Sequence, residues 1–157
     1  LKTVTLRDEQ LGIVVPASHP LAKHESVSWQ LLANEPLVVL ARREGMGLHD
    51  AVLAGCRQAG FSPRLSHTPS LVGTVLSYVE AGVGVGIVTD SVMGTGSPLR
   101  FVTLRPRVTV PLVLVWQEDA DAPAVQRFRE LLLDWKTKGT LWSSPDARPS
   151  ERRLRST

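Results

Sequence analysis

Strands alternate with helices between residues 35 and 89, and this order most constrains the fold. An apolar strand at 36–40 leads through a polar loop (41–47) into a helix at 48–59. A Gly-Phe-Ser-Pro turn and a short strand at Arg64–His67 follow. A second helix at 70–81 and a glycine-laced strand at 82–88 complete the run. Such alternation builds a largely parallel sheet, with helix N-termini and loops gathered along one edge. That edge is where open α/β sheets hold small ligands.

Both helices carry recognisable punctuation. Leu48, Val52, Gly55 and Ala59 form one stripe of the first, flanked by Ala51 and Cys56, and Gly60 ends it. The second has Leu71, Val75, Tyr78 and Val79 on its apolar face and ends at Gly82. Its start is open between two solutions: Thr68 caps with Pro69 at the first helical position, or Ser70 is the cap. The glycines at 82, 84 and 86 do not make a dinucleotide fingerprint. Position 87 is isoleucine, and the order is helix then strand rather than strand then helix. They predict tight packing against a neighbouring backbone.

Outside this run, residues 11–15 are continuously apolar, as in a strand buried on both faces. Ser28 is a candidate cap for a helical turn carrying Trp29, Leu31 and Leu32. Residues 90–96 predict a turn or short helix, 99–104 and 110–116 further strands, and 123–136 an amphipathic helix. That helix is expected to bury Val125, Phe128, Leu131, Leu132 and Trp135. Beyond 139, Ser, Pro, Asp and Arg dominate, which predicts a disordered tail.

Charge and composition exclude several functions. Of the net +3, most comes from Arg148, Arg152, Arg153 and Arg155 near the C-terminus. The body lacks a basic stripe that would track phosphates, so direct DNA contact is not expected of it. No stretch approaches the roughly 20 apolar residues of a membrane span, and no basic-then-apolar leader opens the chain. Together with a single cysteine, this predicts a cytoplasmic protein with no internal disulfide.

Catalytic equipment is equally sparse. His49 and Cys56 are seven residues apart on one helix, roughly 10 Å, too far for a thiol–imidazole pair. His19, His24 and His67 have no partners at metal-ligand spacing, and Asp50, Glu80 and Asp90 have no evident carboxylate partner. Ser70 sits in no nucleophile elbow. Neither a metal, a cofactor nor a reaction is expected.

Gripping is a different matter. Arg42-Arg43-Glu44 and Met46-Gly47-Leu48 leave the carboxyl end of a strand and enter a helix. The first amides of a helix are unpaired and carry partial positive charge, and a guanidinium can fork onto a carboxylate. Ser70-Leu71-Val72 is a second such helix start.

Several phrases in this order resemble the effector-binding domain of LysR-type transcriptional regulators: Val-Val-Pro-Ala-Ser-His-Pro-Leu-Ala (14–22), Glu35-Pro-Leu-Val-Val-Leu, the Arg-Arg-Glu-Gly loop, Ala59-Gly-Phe-Ser-Pro63 and Val79-Glu-Ala-Gly-Val-Gly-Val-Gly-Ile-Val88. The resemblance covers roughly residues 3–138. It implies an α/β, periplasmic-binding-protein-like fold of type II, in which a ligand cleft lies between two subdomains. Residues 1–109 would form the second subdomain. Residues 110–138 would supply the closing strand and helix of the first, and 139–157 the tail. By the same resemblance, a small, anionic effector would touch Arg42, Arg43, Glu44, Met46, Gly47, Leu48, Ser70, Leu71 and Val72. Helix 48–59 would join copies into a homodimer or tetramer, with Cys56, which the residues alone predict to be a buried packing group, a candidate interface residue. DNA would be reached only through a helix-turn-helix missing from this chain. Thr89 departs from the proline usual at that place in the family. An enzyme or an exported solute-binding protein on the same fold is the competing expectation.

Overall fold

The structure is a computed structural model, which describes residues 1–94, 97–117 and 122–139. The elements are β1 (Lys2–Pro16), β2 (Ser26–Ser28), β3 (Pro36–Val39), α1 (Met46–Gln58), β4 (Arg64–His67), α2 (Val72–Glu80), β5 (Val85–Thr89), β6 (Leu99–Arg105), β7 (Thr109–Trp116) and α3 (Pro123–Lys138). Short 3-10 turns at Pro20–Lys23, Trp29–Leu32 and Asp90–Val92 join them. The expected tail, from 140 onward, lies outside the described residues.

Chain contacts separate two units, Arg7–Leu112 and a second made of Leu1–Leu6 with the described residues from Val113. In the first unit the strand order is β2-β6-β1-β5-β3-β4. β3 is parallel to both β4 and β5, with Val39 opposite Ile87. β1 is antiparallel to β5 and β6, placing Leu11 opposite Thr89 and Gly12 opposite Thr103. The mixed sheet follows from the connections. α1 and α2 are crossovers, which return the chain in the same direction, whereas β1 and β5 are not joined in sequence.

Side chains leave the two faces of this sheet into two apolar clusters. Leu11, Ile13, Val15, Leu37, Val39 and Ile87 join Trp29, Val52 and Cys56, so α1 covers one face. Val14, Val38 and Val88 join Val75 and Val79, so α2 covers the other. This is why residues 11–15 read as unbroken hydrophobicity: every one of them is buried. Gly84 and Gly86 permit close approach of neighbouring segments. A Cβ on Gly84 would collide with the Pro36 carbonyl, and one on Gly86 would lie 2.6 Å from Val14. Gly82, at φ +73°, turns the chain out of α2 in a conformation that L side chains resist.

Several expectations are corrected. β1 is far longer than 11–15, because its first half alternates exposed and partly covered residues and carries no apolar run. β2 is a strand that was not expected, and Ser28, the expected cap, precedes the 3-10 turn without a side-chain cap bond. α1 starts two residues early, at Met46. Neither proposed cap serves α2: the chain stays extended through Leu71, which is the N-cap residue and offers no side-chain bond. On α1, His49 is buried beside Val52, Gly55 and Cys56, which rotates the covered stripe from the expected one. Cys56 is fully buried within the core, which removes it from any interface.

In the second unit β7 pairs with β1, Arg129 lies over the Trp116 ring at 5.4 Å, and Lys136 Nζ donates to the Thr5 carbonyl at 2.5 Å. The expected buried face of α3 is corrected too. Val125 is 39% exposed, Phe128 57%, Leu131 42% and Trp135 42%. Helical spacing locates an apolar stripe correctly, but burial also requires a facing layer. Of the five expected residues, Leu132 is half-buried and the other four remain exposed.

Candidate functional site

The carboxyl ends of β3, β4 and β5 point the same way, because the three strands are mutually parallel. Each end runs into a turn or helix start: Ala41–Gly45 before α1, Thr68–Leu71 before α2, and Thr89 before the turn at Asp90–Val92. The first two loops are bonded to each other, since the Ala41 amide donates to the Pro69 carbonyl at 2.8 Å. The residues nominated from sequence on two separate helix starts therefore lie on one continuous rim.

Within the first loop the backbone folds back on itself. The amides of Glu44 and Gly45 both donate to the Ala41 carbonyl, at 2.9 and 3.1 Å, and His49 donates its own amide to Gly45. Gly45 is the N-cap residue and has no side chain to cap with. Helix geometry leaves the amides of Met46, Gly47 and Leu48 without an intrahelical acceptor, and they carry the positive end of the α1 dipole. Gly47 leaves the approach open, for no atom lies within 4 Å of where its Cβ would be. At α2 the amides of Thr74 and Val75 both go to the Leu71 carbonyl, leaving Val72 at the head of the helix.

The two arginines are used differently. Arg42 forks onto Asp50, with Nε at 2.7 Å and Nη2 at 2.9 Å from the two carboxylate oxygens. The fork staples the loop to the first turns of α1. It holds the Asp50 carboxyl below its ordinary range, chiefly through the hydrogen bonds from Arg42, and raises Arg42. Arg43 pairs with its neighbour Glu44 at 3.0 Å and extends into solvent, with its side chain 86% exposed. Apolar surface accompanies these charges: Met46 is 58% and Leu71 69% exposed. Leu48 is partly buried against the core, Ser70 is exposed and Val72 half-buried.

Two residues named from sequence make rim bonds that sequence did not anticipate. His49 is buried, and its Nδ1 lies 2.9 Å from the Leu40 carbonyl, tying the end of β3 to α1. Thr89 closes β5 on the same edge, its hydroxyl 3.2 Å from that of Ser91. Neither carries a spacing signal, because both depend on which strand lies next to which. Burial pushes the Cys56 thiol up to about 11, so it is a packing group at neutral pH. Among the described residues no three His, Cys, Asp or Glu side chains converge as metal ligands. No described helix is long and apolar enough to cross a membrane.

Residues 1–137 match the LysR substrate binding domain family. The chain is 33% identical over 134 residues to the HTH-type transcriptional regulator TtuA of Agrobacterium vitis, covering 82% of this chain and 44% of that regulator. It is 28% identical to the transcriptional dual regulator GltC of Bacillus subtilis, covering 83% of this chain and 44% of GltC. The chain thus spans about half the length of the regulators it matches. Similar folds are found in the C-terminal domain of a probable LysR family regulator from Rhodococcus sp. RHA1 (TM-score 0.67, 24% identity, 84% of this chain and 67% of that one). They also occur in the BenM effector-binding domain with its effector benzoate (TM-score 0.69, 21% identity, 92% and 67%). A third is the effector-binding domain of QuiR in complex with shikimate (TM-score 0.69, 19% identity, 87% and 66%).

Proposed function

This chain belongs to the LysR substrate binding domain family, and from that premise we propose that it senses a small anionic effector for a transcriptional regulator. The effector is held at the rim by Arg42, Arg43, Glu44, Met46, Gly47, Leu48, Ser70, Leu71 and Val72. The observation that carries this is the bond from Ala41 to Pro69, which makes one rim of two helix starts and two arginines. Amide dipoles and guanidinium groups favour a carboxylate, and the exposed Met46 and Leu71 favour an apolar body attached to it. Benzoate and shikimate, bound by BenM and QuiR, are both carboxylates.

In this reading residues 1–109 form the second effector-binding subdomain, and 110–138 are the closing strand and helix of the first. The outer side of helix 48–59 joins copies into a dimer or tetramer, and DNA is contacted by a helix-turn-helix outside these 157 residues, in the cytoplasm. Effector binding acts by stabilising one arrangement of the regulator over another. In this reading the rim binds and orients its guest.

The test is a thermal-shift screen of small carboxylates against neutral analogues. At about 100 times Kd, a ligand of the folded state adds roughly 2.7 kcal/mol, which is a shift of several degrees. Carboxylates should give it, and Arg43→Ala should abolish it while leaving the unliganded melting temperature in place. A flat response across the panel would refute the proposal.

A further inference from the structure

A second cationic feature lies at the other end of the sheet's strand order, where β6 runs out beside β1. Gln10, Thr103, Leu104, Arg105, Pro106 and Arg107 surround a hollow of about 520 Å³. The turn that carries its two arginines is fixed on both sides. The buried Trp29 indole donates through Nε1 to the Pro106 carbonyl at 3.2 Å, and the Leu11 amide donates to Val108 at 2.9 Å. Arg105 and Arg107 are exposed and have no carboxylate partner among the described residues, in contrast to Arg42, which is occupied by Asp50. Glu25 reaches the neighbourhood through its backbone, its carbonyl accepting from Thr103 Oγ1 at 3.1 Å.

We propose that this hollow is an oxyanion site, taking a small dianion such as a phosphate or a dicarboxylate, and that it works independently of the Arg42–Leu48 rim. The guanidinium groups of Arg105 and Arg107, two residues apart in one turn and both lining the hollow, offer N–H donors that pair with the oxygens of a doubly charged oxyanion. Gln10 also lines the hollow, and its side-chain amide is a neutral donor. Because Trp29 and Leu11 already hold the turn, little ordering accompanies binding.

Titration of the 157-residue chain with inorganic phosphate, and separately with malonate, against chloride at matched ionic strength tests this. At least one dianion should raise the melting temperature by several degrees at about 100 times its Kd. Whichever arm responds identifies the source. The shift should disappear in Arg105→Ala/Arg107→Ala and persist in Arg43→Ala. Both arginines are exposed, so the double variant should melt within about a degree of the parent in chloride. No shift in either arm, a shift that survives the double variant, or one lost with Arg43→Ala overturns the proposal. Duplex DNA retained through these arginines without a response to phosphate or malonate overturns it as well.

Discussion

Arg42 and Asp50, eight residues apart across a loop and a helix start, form a two-point fork at 2.7 and 2.9 Å. The pair is exposed, so its contribution is to the shape of the rim more than to stability. The Asp50 carboxyl lies below its ordinary value of 3.8 in the folded chain. Stability from a depressed carboxyl is present above the unfolded value and is lost as pH falls through the folded one. Its carbon-detected NMR titration should therefore have a midpoint below 3.8, and Arg42→Ala should bring that midpoint back up. An unchanged midpoint in the variant would show that the fork does not persist in solution.

Gly55 and Gly73 should respond differently to alanine. A Cβ on Gly55 would sit 2.7 Å from the ring of Trp29, which is 1% exposed and bonded to Pro106. The ring cannot give way, so overpacking of about 1–3 kcal/mol outweighs the helix-propensity gain of about 1 kcal/mol. Around Gly73 nothing lies within 4 Å, so alanine there should be neutral or stabilising. Urea unfolding of the two variants measures both.

The Cys56 thiol, fully buried and raised to about 11, should not react with a thiol reagent at pH 8 while the chain is folded. Its labelling rate in urea should follow the unfolding transition. Rapid labelling of the native chain would place Cys56 at the surface.

Phe128 offers a test of the exposed face of α3. At 57% exposure, its replacement by lysine should alter stability by no more than about 0.5 kcal/mol. A loss of about 3 kcal/mol, the scale of a buried aromatic side chain, would mean that a facing layer covers it.

Much of the fold was legible because its signals are local. The helix ends at Gly60 and Gly82 follow from the left-handed conformation that glycine accepts, and both have positive φ. The apolar run at 11–15 announced a central strand, since burial on two faces removes alternation. The start of α2 was misread because Thr68, Pro69 and Ser70 each satisfy a local capping rule. The competing long-range bond from Ala41 keeps the chain extended there instead. On α3 the stripe was legible and its exposure was not, because amphipathicity is a property of one helix and burial a property of two layers.

Sequence alone determined most of the succession of strands and helices, the family, and the chemistry available at each helix start, since all of these are set by residues close together in the chain. Tertiary structure decided that two of those starts form one rim and that Arg42 is committed to Asp50. The reason is physical: an adjacency such as Ala41 beside Pro69 depends on parallel strands choosing neighbours, and no spacing within either segment encodes that choice.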